Sequence, residues 1–132
     1  MTTCAELRRV LYVEDDPDIR SIATMALEAV GGLEVRACSS GAEALEAATG
    51  FAPDVLVLDV MMPGMDGPAT LAGLRRLPAT AATPVIFMTA KVQASEVQGY
   101  HALGAIGVIT KPFDPMALAR QVQDLWAQRP RG

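Results

Sequence analysis

Asp59 closes the apolar run Val55-Leu56-Val57-Leu58 and is followed at once by the turn-like Met61-Met62-Pro63-Gly64. Glu14, Asp15 and Asp16 stand in the same way after Val10-Leu11-Tyr12-Val13. Thr89 ends Val85-Ile86-Phe87-Met88, and Lys111 comes just after Gly107-Val108-Ile109. Packed carboxylates cannot all stay ionised without compensation, because like charges disfavour one another. A hard divalent cation relieves this through oxygen ligands, and Mg²⁺ takes one or two carboxylates together with water and phosphate oxygens. A lysine adds a positive point charge suited to a phosphoryl oxygen. If these residues converge, the chemistry is phosphoryl transfer, with Asp59 as nucleophile and Lys111 and the Thr89 hydroxyl contacting the transferred group.

Each residue also has a plainer account. Asp15-Asp16 before a helix suits capping, Asp59 suits a turn, Thr89 could cap the next segment, and Lys111 could be a solvated loop lysine. Their recurrence at the ends of successive apolar runs favours the joint reading.

The elements that must position them follow from the hydrophobic pattern. Unbroken apolar blocks read as parallel strands covered on both faces. Leu33-Glu34-Val35-Arg36-Ala37 alternates instead, which suits an edge strand half open to water. Between the strands lie helical segments. The first opens at Asp16-Pro17-Asp18, carries the stripe Ile19, Ile22, Ala23, Ala26 and Val30, and stops at Gly31-Gly32. Others cover 40–49, 67–77, 94–103 and about 114–128, the last with Leu118, Val122 and Leu125 as its buried stripe. Five strand–helix alternations predict a doubly wound α/β fold with a five-stranded parallel sheet and five helices. The alternating second strand belongs at an edge, which gives the flavodoxin-like order 2-1-3-4-5. Ligand sites of such sheets lie beyond the carboxyl ends of the strands, where every candidate residue falls.

The 132 residues suffice for one domain, with a core at about 8–127 between short flexible termini. A net charge of −4 argues against a nucleic-acid surface, which needs a basic stripe. Arg8, Arg9, Arg75, Arg76, Arg129 and Arg131 read as solvated. Cys4 and Cys38 have no metal-ligand spacing and read as reduced thiols. No apolar run approaches a membrane span and no secretory pattern opens the chain, so a soluble cytoplasmic protein is expected. His101 reads as an exposed helical residue, and Trp126 as half-buried packing rather than a partner anchor.

Four segments closely resemble the response-regulator receiver family: Val-Leu-Tyr-Val-Glu-Asp-Asp at 10–16, Leu-Asp-Val-Met-Met-Pro-Gly-Met-Asp-Gly at 58–67, Met-Thr-Ala at 88–90 and Thr-Lys-Pro-Phe at 110–113. The resemblance runs from about Arg9 to Leu125. It implies that Asp59 accepts phosphate from a histidine kinase or a histidine phosphotransfer protein in a two-component phosphorelay. It implies that Asp16 and Asp59 ligate Mg²⁺ (or Mn²⁺) directly with the backbone carbonyl of Met61, that Asp15 acts through water, and that Glu14 is no ligand. Thr89 and Lys111 would bind the phosphoryl group, and Lys111–Pro112 would be cis. Ala90 would leave the site open, with Met61 and Lys91 flanking it. Such a protein is a signalling switch, not a metabolic enzyme; its catalysis is limited to self-phosphorylation from a phosphodonor and slow autodephosphorylation.

The family often has an aromatic residue three positions before the lysine; here that position is Val108, and Tyr100 and Phe113 read first as packing. The expected output is a protein target docked through the face of the fourth helix, fifth strand and last helix. The chain ends soon after Trp126, so no output domain is expected to be attached. A phosphate sink, a relay intermediate, or a receiver cut from a longer hybrid kinase or regulator are the alternatives. A flavodoxin is disfavoured because acids occupy its phosphate loop, and a haloacid-dehalogenase-type phosphatase because position 61 is Met.

Overall fold

The apolar runs become strands: β1 (Arg9–Val13), β2 (Glu34–Cys38), β3 (Val55–Asp59), β4 (Val85–Thr89) and β5 (Ala105–Thr110). All pair in parallel, in the order β2-β1-β3-β4-β5. The computed structural model describes residues 6–90 and 92–130, so Cys4, Lys91 and Arg131 lie outside the described residues. The helices are α1 (Pro17–Met25), α2 (Gly41–Phe51), α3 (Gly67–Arg75), α4 (Ala94–Ala102) and α5 (Leu118–Ala127).

Strand period sorts the core into two layers, since alternate residues face opposite sides of a sheet. Val10, Tyr12, Val55, Val57, Ile86, Met88 and Ile109 pack with Ala23, Leu27, Leu118, Val122 and Trp126. Leu11, Val13, Leu56, Leu58, Val85 and Phe87 pack with Ala44, Ala48, Leu71 and Leu74 on the other side. The sheet is thus covered by α1 and α5 on one face and by α2 and α3 on the other. β2 lies at an edge with its alternating exposure, as its sequence predicts.

Local chemistry sets the helix starts. Ser40 caps α2 by accepting from Glu43 N (3.1 Å), while the Glu43 carboxylate accepts from Ser39 N (2.8 Å). The first-helix stripe is narrower than its sequence suggests. Ile22 and Val30 are each 48% exposed; Ala23, Ala26 and Leu27 form the buried side, and the helix continues from Ala26 to Val30 as a π-helical turn. The last helix begins later than residue 114: the turn at Asp114, whose Oδ1 accepts from Met116 N (2.9 Å), precedes it. α4 contributes no fully buried residue, although Tyr100 stacks on Phe87 with ring centroids 5.3 Å apart. Trp126 is buried, and its indole N–H donates to the Asp54 carbonyl (3.2 Å). Among the described residues, no helix is long and apolar enough to cross a membrane.

Candidate functional site

The switch point of the sheet lies between β1 and β3, where the strand order reverses, and ligands of such sheets bind beyond the carboxyl ends of the strands at that point. Asp59 is the last residue of β3 and is 2% exposed. It shares the parity of Val55 and Val57, so its side chain belongs to the α1–α5 face. Glu14 continues the parity of Val10 and Tyr12 just past β1, and is 1% exposed. Lys111 reaches both from the end of β5: its Nζ lies 3.0 Å from Glu14 Oε1 and 3.0 Å from Asp59 Oδ1. The lysine N–H donates to the Thr89 carbonyl (2.9 Å), and the Thr89 side chain is buried at the end of β4. The Lys111–Pro112 bond is cis.

Glu14, Asp15 and Asp59 each offer a carboxylate oxygen, and these atoms lie within 4.8 Å of one another. Such a set of hard, anionic oxygen donors fits a small divalent cation. Asp16 is not in the group. Its Oδ1 accepts from Asp18 N (2.8 Å) and Ile19 N (3.1 Å), so it is the N-cap of α1, with Pro17 opening the helix. The sequence expectation placed a ligand at Asp16 and none at Glu14, whereas the carboxylates that come together here are those of Glu14, Asp15 and Asp59. The strand alternation delivers Glu14 inward, while Asp16 Oδ1 is engaged by the start of α1.

The electrostatics match this geometry. Burial pushes the Glu14 carboxyl up to about 7, with the Asp59 charge adding to it, against the downward pull of the Lys111 and Asp16 hydrogen bonds. Burial alone would lower the Lys111 pKa, but the hydrogen bonds and charges of Glu14 and Asp59 outweigh it and raise it. Lys111 is therefore firmly protonated, and the pair of acids holds it.

Three further residues shape the site without having been singled out by type or spacing. Arg20 Nη1 donates to the Glu14 carbonyl (2.9 Å), with a longer contact to the Asp15 carbonyl (3.4 Å). Gly67 packs under Asp59: a Cβ there would stand 2.6 Å from the Asp59 carbonyl oxygen. Tyr12 is fully buried one step below Glu14, and its hydroxyl has no hydrogen-bond partner among the described residues. Met61 is exposed (64%) beside the site. Val108 is half-buried opposite Phe87 in the β4–β5 register, so no aromatic ring occupies that position. Ile19, Ile22, Ala90, Pro112 and Phe113 line an apolar groove of about 410 Å³ that Lys111 borders. His101 is exposed, with Nδ1 3.0 Å from the Ala105 carbonyl, which makes Nδ1 the donor. Cys38 is a buried thiol whose pKa burial pushes up to about 11.

The family model of the response regulator receiver domain matches residues 10–123. Among curated proteins, the transcriptional regulatory protein CseB of Streptomyces avermitilis is 38% identical over 90% of this chain and 49% of its own length. A 14.6 kDa protein of Leptolyngbya boryana is 37% identical over 93% of this chain and 92% of its own length. The chain spans about half the length of the first curated relatives it matches, and some of those, such as RpaA of Synechocystis, are named DNA-binding regulators. Among solved structures, the chemotaxis protein CheY4 of Vibrio cholerae superposes with a TM-score of 0.83 at 32% identity, over 90% of this chain and 98% of that one.

Proposed function

The chain belongs to the response regulator receiver family, a class of signalling modules, and from that premise we propose that Asp59 is its phosphoacceptor. The observation that carries this reading is the buried Asp59 carboxylate held by Lys111 in a cluster with Glu14 and Asp15. An Asp59 carboxylate oxygen attacks the phosphorus of a phosphohistidine on a histidine kinase or phosphotransfer protein. A P–O bond forms, the P–N bond breaks, and the imidazole leaves with the electron pair. Lys111 and the Thr89 hydroxyl contact the transferred group.

The cation would be Mg²⁺ or Mn²⁺, held among Glu14, Asp15 and Asp59 with the Met61 backbone carbonyl. When bound it neutralises charge on the phosphoryl oxygens. Output passes to a protein target through the face of α4, β5 and α5. The absence of fully buried residues in α4 supports this, since a lightly packed helix can shift at little cost. We read residues 1–132 as one cytoplasmic receiver domain.

The test is labelling with radioactive acetyl phosphate and Mg²⁺. Wild type takes up label and Asp59→Asn does not; label surviving that substitution sinks the assignment. A pull-down comparing phosphorylated and unphosphorylated protein then asks whether a partner is gained beyond the phosphodonors.

A further inference from the structure

We propose that Arg20 is the positioning residue of the acidic loop: by holding the Glu14 and Asp15 carbonyls it presets their carboxylates opposite Asp59. This rests on the divalent-cation reading above. The loop is anchored where Glu14 N donates to the Cys38 carbonyl (3.0 Å), and Asp16 N donates to Glu14 Oε2 (3.1 Å). Beyond it, Asp16 is committed to capping α1. Asp15 lies between these fixed points. Among the described residues its exposed carboxylate takes no hydrogen bond, and the one side-chain hydrogen bond to its carbonyl comes from Arg20.

Arg20 is itself fixed by the first turn of α1, where its N–H donates to the Asp16 carbonyl (2.9 Å). A cation near a helix N-terminus opposes the macrodipole, so helix chemistry gives no reason for an arginine there. Charge pairing gives none either: beside three clustered acids, Arg20 forms no ion pair with any carboxylate among the described residues. Its guanidinium donates to two backbone carbonyls instead. That arrangement fixes backbone, which is the role of the outer partners that orient metal ligands.

The alternative is a purely electrostatic role, and it has the opposite sign. A positive charge near the site repels Mg²⁺, so removing it alone would tighten binding. Lysine keeps the charge but loses the planar fork, which separates the two. Mg²⁺ affinity is measured by calorimetry on the full chain for wild type, Arg20→Lys and Arg20→Met, with urea unfolding to establish that each is folded. Both variants are expected to bind about tenfold more weakly. Wild-type affinity in Arg20→Lys, or tighter binding in Arg20→Met, overturns the proposal.

Amide exchange in the metal-free protein supplies a second readout. The Asp16 N–H, bonded to Glu14 Oε2, should exchange faster in Arg20→Lys than in wild type, and equal rates count against positioning. If wild type binds no Mg²⁺, the cation reading fails by itself and the exchange comparison still decides the role of Arg20.

Discussion

The Lys111 ammonium lies 3.0 Å from Asp59 Oδ1, joining the ends of β5 and β3 across a buried edge of the sheet. The same nitrogen holds Glu14, so one cation compensates two acids that are almost fully out of water. Replacing Lys111 with Met leaves both without it. Breaking a buried pair costs about 3–5 kcal/mol, and Lys111 is 19% exposed, so a loss near the low end of that range is expected. Urea unfolding at pH 8 without divalent cations measures it. An unchanged midpoint would mean that the lysine contributes nothing to the resting fold.

Glu14 sets a pH dependence of unusual direction for an acid. Its folded pKa is raised to about 7 from 4.5, so between these values the folded state binds more protons than the unfolded one. Stability then falls as pH rises through that window. The slope belongs to metal-free protein, and Glu14→Gln should flatten it relative to wild type. Lys111 acts at the alkaline end: its raised pKa contributes stability that is full below about 10.5 and lost above its folded value. Equal slopes for wild type and Glu14→Gln between pH 5 and pH 7 would remove Glu14 as the cause.

Asp15 and Asp16 should separate cleanly by isosteric substitution. Asp15→Asn removes a charge from the carboxylate cluster and should weaken Mg²⁺ binding by about tenfold or more. That loss corresponds to about 1.4 kcal/mol. Asp16→Asn keeps a competent N-cap, so both stability and Mg²⁺ affinity should stay close to wild type, whereas Asp16→Ala should lose about 1 kcal/mol of stability. Calorimetry and urea unfolding on the three proteins decide it. A large affinity loss in Asp16→Asn would assign Asp16 a ligand role beside its capping one.

The strand–helix alternation, the sheet order and the edge position of β2 were legible in the sequence because unbroken and alternating apolar runs report burial directly. The approach of Lys111 to Asp59 followed from their places at strand ends. Choosing between Glu14 and Asp16 required a finer count. Period-2 alternation through Val10, Tyr12 and Glu14 points Glu14 inward, and Asp16 before Pro17 is a capping pattern, so the signal was present but competed with the motif resemblance. Arg20 carried no such signal, because its guanidinium acts on backbone carbonyls and any exposed face could have claimed it. The exposure of Val30 was hidden for a similar reason: a helical stripe does not report the π-helical turn in which Val30 lies.

Gly67 should prove intolerant of even one carbon. An added Cβ would meet the Asp59 carbonyl oxygen at 2.6 Å and the Val60 Cα at 3.0 Å, and both are backbone atoms that cannot swing aside. Overpacking of this kind costs about 1–3 kcal/mol. Gly67→Ala should therefore lose stability and also phosphoryl labelling, since the shift falls on the strand end that carries Asp59. Retention of both at wild-type level would show that α3 moves away without disturbing β3.

Tyr12 presents the reverse case, a buried group whose removal should help. Its hydroxyl is inside the α1–α5 layer with no hydrogen-bond partner among the described residues. Burial, with the Glu14 and Asp59 charges adding to it, pushes the phenol pKa far upward, so the ring stays neutral while the protein is folded. A buried unsatisfied hydroxyl carries a desolvation penalty of about 1–3 kcal/mol. Tyr12→Phe deletes the hydroxyl and keeps the ring that fills the core. Stability should rise by about 1 kcal/mol, read from the urea midpoint at unchanged slope. A loss of similar size would mean that the hydroxyl has a bonded partner, such as a trapped water.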